Sequence, residues 1–286
     1  MQYAGVISAP GKKSLSPVFQ QAAFDHLGIA VQYQHWPTPA DGLETRVMGL
    51  HAPDVLGANV TIPHKEACLP FVQHLDPLVR RVGALNTILN DGGTLRGYNT
   101  DVEGFLRPLR DAYFEPRGCS AVIAGAGGVA RAVVVALAEA GAARIVVVNR
   151  TLERAERLVS DLSAAAGPAQ LTAAPDTHKS WENATAEAGL LVNCTSLGTG
   201  GTPEEDRSPM PSDLIRSQAL VYDLVYQPAE TRLIRDARQA GARTIGGLPM
   251  LIYQGAASFK LWTGRVAPVD IMLQAAEDAL AAEDAR

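Results

Sequence analysis

The sequence predicts an α/β protein of two domains, on three observations. Residues 121–154 read as a short apolar strand, a glycine turn, a helix and a second strand, the opening of a doubly wound parallel sheet. Strands and helices already alternate from the N-terminus, well before that turn, so a separate α/β unit precedes it. The last two helices, 250–263 and 269–282, have no strand to alternate with and are expected to return to the first unit. The resulting boundaries are 1–104 plus 246–286 for a first domain with a mixed sheet, and 105–245 for a second domain of the Rossmann type.

In the first domain a strand over 3–7 runs into a loop and then a helix over 17–27. Ser16 is its expected N-cap, Pro17 its first residue and Gly28 its terminator. A strand over 30–35, a helix over 40–50 and a strand over 57–61 follow. Pro63 opens a helix that carries Lys65, and Pro77 opens another through Arg81. Asn90-Asp91-Gly92-Gly93 is a hairpin turn between strands at 84–89 and 94–98. Thr100-Asp101-Val102-Glu103 is a capping box, so a helix starts there, runs to about 111 and bridges the domains.

The second domain opens with a buried strand at 121–124 followed by Gly125-Ala126-Gly127-Gly128-Val129-Ala130. Gly125 permits the tight turn, Gly127 lets a pyrophosphate approach the backbone, and small Ala130 lets a helix over 131–140 pack on the strand. That helix aims its unpaired N–H groups at the phosphate, and Gly141 closes it. The next strand, 145–148, distinguishes the dinucleotides. An NAD site carries Asp or Glu about 20 residues after the first glycine. Here the strand ends in Asn149-Arg150-Thr151, with Arg154 one turn further on. Two arginines at a helix N-terminus oppose its dipole, and a 2′-phosphate bound bidentately by guanidinium supplies the reason. The expected cofactor is NADP; the alternative is a solvated basic surface. Thr151 reads first as a helix N-cap. Residues 164–177 read as an irregular connection, 190–193 and 220–224 as buried strands, and 199–212 as a polar loop able to cover a cofactor. A helix over 229–240 and a strand over 243–245 complete the domain.

Composition bounds the partners. A net charge of −5 over 286 residues, with scattered basic residues, argues against nucleic acid. No uncharged apolar stretch suffices to cross a bilayer and the N-terminus lacks a signal-peptide pattern, so a soluble, cytoplasmic protein is expected. Cys68, Cys119 and Cys194 form no C-x-x-C, which argues against a disulfide frame or zinc site; each is expected to be a small buried residue. The six histidines show no ligand spacing, so no metal is expected, and His64 is read as structural.

Eight stretches, in order, carry a family resemblance. They are Ser14-Leu15-Ser16-Pro17, Gly57-Ala58-Asn59-Val60-Thr61-Ile62-Pro63-His64-Lys65, Gly83-Ala84-Leu85-Asn86-Thr87 and Gly97-Tyr98-Asn99-Thr100-Asp101. After the glycine turn come Asn149-Arg150-Thr151, Asn193-Cys194-Thr195-Ser196-Leu197-Gly198, Asp223-Leu224-Val225-Tyr226-Gln227-Pro228 and Met250-Leu251-Ile252-Tyr253-Gln254-Gly255-Ala256. With these the chain resembles the shikimate dehydrogenase family over nearly its whole length. The resemblance implies reversible reduction of 3-dehydroshikimate to shikimate with NADP, in a groove between domains that closes to exclude water. Lys65 and Asp101 become the pair flanking the reacting hydroxyl, and Ser14 and Ser16 the ligands of the substrate carboxylate. Thr61, Asn86, Tyr226 and Gln254 become substrate contacts. The glycine turn, Asn149, Arg150, Thr151, Arg154, Thr195, Ser196, Leu197, Gly247 and Met250 become cofactor contacts. A monomer or homodimer acting on a small molecule, with no nucleic-acid or membrane partner, is the expected form.

Residue chemistry adds its own expectations and their ordinary alternatives. Lys65 in the first turn of a helix meets the positive end of the dipole, which with partial burial would favour proton transfer; the alternative is an ordinary exposed lysine. An acid at a helix start is commonplace, but Thr100 and Glu103 account for the cap and leave the Asp101 side chain free. Capping explains Ser16 but not Ser14, and turn or strand-end bonding explains Asn59 and Asn99. Gly255 within a helix implies close approach by another backbone or the nicotinamide. Two positions depart from the family pattern: Lys12-Lys13 stand where a histidine commonly precedes the first serine, and Thr199 where Met is frequent. The other readings are a quinate/shikimate dehydrogenase using NAD or NADP, and a non-catalytic NADP- or shikimate-binding regulator.

Overall fold

Apolar from Ala4 to Ile7, β1 (Gln2–Ser8) is buried from Ala4 to Ser8, as a strand between two neighbours must be. The computed structural model describes residues 1–284 and divides into two compact units, Met1–Gly104 with Ile252–Arg286, and Phe105–Leu251. In chain order the first unit continues with α1 (Ser16–His26), β2 (Val31–Pro37), α2 (Leu43–Met48), β3 (Val55–Val60) and α3 (His64–Ala67). Then come β4 (His74–Leu75), α4 (Pro77–Val82), β5 (Thr87–Asp91) and β6 (Thr94–Tyr98). Its six-stranded sheet has the order β2-β1-β3-β5-β6-β4. β1 runs parallel to β2 and β3, whereas β3–β5 and β5–β6 are antiparallel; Gly92 and Gly93 at φ 60° and 90° close the tight β5–β6 hairpin. Ile7, Val47, Ala58, Leu85, Ile88 and Leu95 form its core. Gly57 is obligatory there: at φ 154° a Cβ would sit 2.0 Å from the Ile88 carbonyl oxygen.

Two local expectations change. Ser16 is not the N-cap of α1 but its first helical residue, with Leu15 at the cap position and already in the right-handed region. The bond expected of Ser16 comes from Ser14, whose Oγ accepts from the Ser16 N–H at 3.2 Å. The helix expected over 40–50 is broken into α2 between two short 3₁₀ turns, Ala40–Gly42 and Gly49–His51, as glycines at both junctions favour.

α5 (Asp101–Asp111) crosses the unit boundary, which falls after Gly104. The second unit then holds β7 (Ser120–Ala124), α6 (Gly128–Glu139), β8 (Arg144–Asn149), α7 (Leu152–Leu162), β9 (Gln170–Pro175) and α8 (His178–Thr185). β10 (Leu190–Asn193), β11 (Leu220–Asp223), α9 (Arg232–Gln239) and β12 (Arg243–Ile245) follow. The chain ends in α10 (Leu248–Thr263) and α11 (Val269–Asp284). The sheet order is β12-β11-β10-β7-β8-β9 and every pair is parallel. The order reverses between β7 and β10, so their carboxyl ends flank the crevice that binds ligands in such sheets.

Here too the structure departs from sequence. Residues 164–177 are not an irregular connection throughout: β9 adds to the edge of the sheet, where Pro175 costs no ladder bond at the strand's end. α6 starts at Gly128, three residues before the expected start at 131, because the turn is complete once Gly127 takes an extended conformation. α9 starts at Arg232, after Thr231 accepts a cap bond from the Ile234 N–H, rather than at 229. α10 straddles the units, so residues 246–251 group with the second unit. Among the described residues no helix is long and apolar enough to cross a membrane.

Candidate active site

Lys65 on α3 and Asp101 at the start of α5 meet as a salt bridge: Nζ donates to Oδ2 at 2.6 Å, with side chains 11% and 4% exposed. The expected dipole effect on Lys65 has no source, because α3 is a single turn of four residues. What faces the ammonium is the carboxylate. Asn86 holds that carboxylate from the other side. Its Nδ2 lies 2.8 Å from Asp101 Oδ1, 2.9 Å from Thr100 Oγ1 and 3.2 Å from Gln254 Oε1, while its Oδ1 accepts from the Thr100 N–H. Asn99 accepts from the Asp101 N–H at 3.1 Å and donates to the Ala84 carbonyl at 2.9 Å, the strand-end role open to it in sequence. Both Asp101 oxygens are therefore engaged. An ammonium carries three hydrogens, and among the described residues only one of Lys65's has an acceptor.

The same network reaches β2, where the buried Tyr33 hydroxyl donates to Asn59 Oδ1 at 2.8 Å. Asn59 Nδ2 donates to Ser258 Oγ at 2.9 Å; that hydroxyl lies 2.7 Å from Thr87 Oγ1, which donates to Asn86 Oδ1. Burial pushes the Tyr33 phenol well above its usual range, so it stays neutral. A buried hydrogen-bonded chain thus joins Tyr33 to Asp101 and Lys65. Sequence reasoning missed Tyr33 and Ser258, since a strand tyrosine and a helix serine carry no local signal.

Thr61 continues the β3 pairing, its N–H donating to the Ile7 carbonyl at 3.0 Å. Ser14 is half-buried at the mouth of α1. Neither bonds the Lys65–Asp101 cluster, and Tyr226 belongs to the other unit. His64 is buried, with Nε2 2.8 Å from the Thr38 carbonyl oxygen. Lys13 faces Glu283 at 3.4 Å in an exposed pair, and Lys12 is exposed. At Gly255 the space a Cβ would take is filled by Phe19 of α1, whose ring it would meet at 2.4 Å.

In the second unit Gly125 has φ 103°, and a Cβ would lie 2.9 Å from the Thr195 methyl. Gly127 is different, with nothing within 4 Å of its Cβ position. It leaves an open approach beside the N-terminus of α6, while Ala130 is fully buried. Ala126, Gly128 and Val129 are half-buried around the turn. Asn149 Nδ2 donates to the Thr151 carbonyl at 2.7 Å, and Thr151 occupies the α7 N-cap position without a side-chain cap bond. Arg150, Thr151 and Arg154 are exposed, and among the described residues neither arginine has an ion-pair partner. An open backbone cradle with two unpaired guanidinium groups at the next strand end fits a phosphorylated dinucleotide.

The 195–197 turn opposite is held internally. Thr195 N–H and Oγ1 both donate to Asn193 Oδ1, at 2.9 and 2.7 Å, and Thr195 Oγ1 accepts from the Leu197 N–H at 3.1 Å. Exposed Ser196 accepts from the Thr199 hydroxyl through its carbonyl at 2.7 Å. Met250 is buried, and Gly247 lies against the Leu224 carbonyl, where a Cβ would come within 2.3 Å. The 199–212 loop is bonded to itself, through Thr202 Oγ1 to the Thr199 carbonyl and the Gly201 N–H to Glu205 Oε2.

Cys68 and Cys194 are buried as expected, but Cys119 is half-exposed. Burial pushes the Cys68 thiol up to about 12 and the Cys119 thiol to about 11, which leaves both protonated. Among the described residues no group of three or more His, Cys, Asp or Glu is placed to hold a metal. A surface cavity of about 480 Å³ lined by Trp36, Thr38, Arg46 and Leu50 contains none of the candidate residues.

Comparison with known proteins shows the family. Residues 6–88 match the shikimate dehydrogenase substrate binding domain, 111–195 the shikimate / quinate 5-dehydrogenase domain, and 247–277 the shikimate 5'-dehydrogenase C-terminal domain. A shikimate dehydrogenase (NADP(+)) of Symbiobacterium thermophilum is 45% identical over 280 residues, covering 96% of this chain and 94% of that protein. The crystal structure of the Thermus thermophilus shikimate 5-dehydrogenase in complex with NADP(H) and shikimate is 38% identical with a TM-score of 0.86, covering 98% of this chain and 100% of that one. Quinate dehydrogenase from Corynebacterium glutamicum in complex with NAD is 29% identical with a TM-score of 0.88, covering 97% and 99%. With matches of this identity along almost its full length, the chain belongs to the shikimate dehydrogenase family.

Proposed function

We propose that this chain is an NADP-dependent shikimate dehydrogenase that interconverts 3-dehydroshikimate and shikimate, working in the cytoplasm as a monomer or homodimer. The observation that carries the chemistry is the buried Lys65–Asp101 pair at 2.6 Å, with two ammonium hydrogens uncommitted among the described residues and the carboxylate held by Asn86. The bound dinucleotide supplies the hydride. Lys65 delivers a proton to the ketone oxygen as the alcohol forms, and in the reverse direction takes it back. Asp101 orients the ammonium and compensates its charge. Ser14 and Ser16 at the mouth of α1 hold the ring carboxylate, and Thr61, Asn86, Gln254 and Tyr226 bond the ring hydroxyls.

The preference for NADP rests on Arg150 and Arg154, which have no acidic partner among the described residues and can grip a 2′-phosphate. A spectrophotometric assay with shikimate or quinate, each with NADP or NAD, tests the reading. Reduction of NADP by shikimate well above the other three combinations is expected. Equal rates with quinate and NAD would replace it with the broader dehydrogenase, and no turnover with intact NADP binding would point to the regulator.

A further inference from the structure

Asp223, at the carboxyl end of β11, is fully buried and pairs in register with Asn193 at the end of β10. Its Oδ1 accepts from Asn193 Nδ2 at 2.8 Å and from the Val225 N–H at 3.0 Å; its Oδ2 accepts from the Thr231 hydroxyl at 2.6 Å. An ionised carboxylate can only accept, so it dictates which end of the Asn193 amide faces it. With Nδ2 turned to Asp223 and to the Leu197 carbonyl at 3.1 Å, Oδ1 must face the Thr195 N–H and hydroxyl. The Thr195 hydrogen is then committed to Asn193, and the free lone pair of its oxygen receives the Leu197 N–H. A flipped amide would set two donors against Thr195 N–H and an acceptor against the carboxylate.

From this geometry we infer that Asp223 is a positioning residue for the cofactor, acting through the Asn193 amide to shape the 195–197 turn. The inference rests on the reading above that this turn contacts the dinucleotide. Nothing in residue type or spacing marks Asp223 for that purpose, since it touches no open surface and lies outside the glycine turn. Burial holds its carboxyl above the usual range against the bonds from Thr231, Val225 and Asn193, so the group is retained at an electrostatic cost. The geometry also separates two substitutions. Asn at 223 keeps an oxygen for Asn193 and Val225, and its NH2 can face a Thr231 oxygen that turns to accept. Ala keeps neither.

The test uses the full chain and reads NADPH affinity by fluorescence titration, beside KM for shikimate and thermal stability. D223A and N193A are each expected to weaken NADPH binding about tenfold, and N193A to leave the shikimate KM within about twofold. D223N is expected to stay within about threefold of the wild type in NADPH affinity. T231V removes the third bond to the carboxylate without touching Asn193; it is expected to lower the melting temperature and leave NADPH affinity within about twofold. Wild-type affinity in N193A overturns the inference while the functional reading stands. T231V weakening NADPH as much as N193A also overturns it, because general loosening would then suffice. N193A carries the test on its own if D223A does not fold. Failure of the wild type to bind NADPH overturns both the inference and the reading beneath it.

Discussion

At the scale of single residues, the chemistry comes down to a few charges with defined partners. The Lys65 ammonium is held by Asp101 and, among the described residues, by no other carboxylate, so its removal takes away the proposed proton donor while leaving the residues proposed to bind the substrate carboxylate in place. Lys65→Ala is expected to lower kcat by about a hundredfold or more with little change in the KM for shikimate. Steady-state kinetics decide it: a large rise in KM with normal kcat would assign Lys65 to binding instead. Arg150 and Arg154 have the opposite signature. R150A/R154A is expected to raise the KM for NADP by about tenfold or more while leaving that for NAD nearly unchanged. An equal effect on both dinucleotides would place the arginines away from the 2′-phosphate. Lys65 and Asp101 were individually visible in sequence, but their pairing came only from resemblance. They stand 36 residues apart, and no local pattern announces a contact over that distance.

At the scale of elements, two glycines make contrasting demands. Gly255 lies where α10 meets α1, with Phe19 where a side chain would go. Gly255→Ala is expected to cost about 1–3 kcal/mol of stability by overpacking, measured as a lower urea midpoint. Gly127 has an ordinary φ of −100° and open space around it. Gly127→Ala should therefore leave the urea midpoint of the ligand-free protein unchanged within about 0.5 kcal/mol, yet weaken NADPH by blocking the approach of its pyrophosphate. Unchanged NADPH affinity in that variant would remove the glycine turn from the cofactor site. Sequence identified both positions as special but could not say why Gly255 was, because its neighbour comes from α1, on the far side of the chain. The same limit explains β9. Its residues are small and weakly patterned, and only pairing with β8 makes them a strand.

At the scale of the whole molecule, stability and pH are linked through Asp223. Its native carboxyl titrates above the ordinary value of 3.8, so the native state binds that proton more tightly than the unfolded chain. The associated stabilisation is fully present below the unfolded pKa and is lost as pH rises through the raised native value. Relative to D223N, which has no such group, the wild type should gain unfolding free energy as pH falls from about 7 to about 4.5. Urea unfolding of the two proteins at both pH values measures the difference. A gain for D223N instead would mean that the bonds from Thr231, Val225 and Asn193 outweigh burial.

The sequence by itself determined the dinucleotide unit, because its signals are local: an apolar strand, glycines at set spacing, and arginines where an acid would otherwise stand. It also carried the family, through eight short stretches in a specific order. What only the tertiary structure decided were the long-range partners: Asn86 between Asp101 and Gln254, Tyr33 on Asn59, and Asp223 beneath Asn193. Each of these is a buried polar group that must find a bond once water is excluded. Which group it finds depends on strand register and helix packing, and neither is written in the few residues on either side.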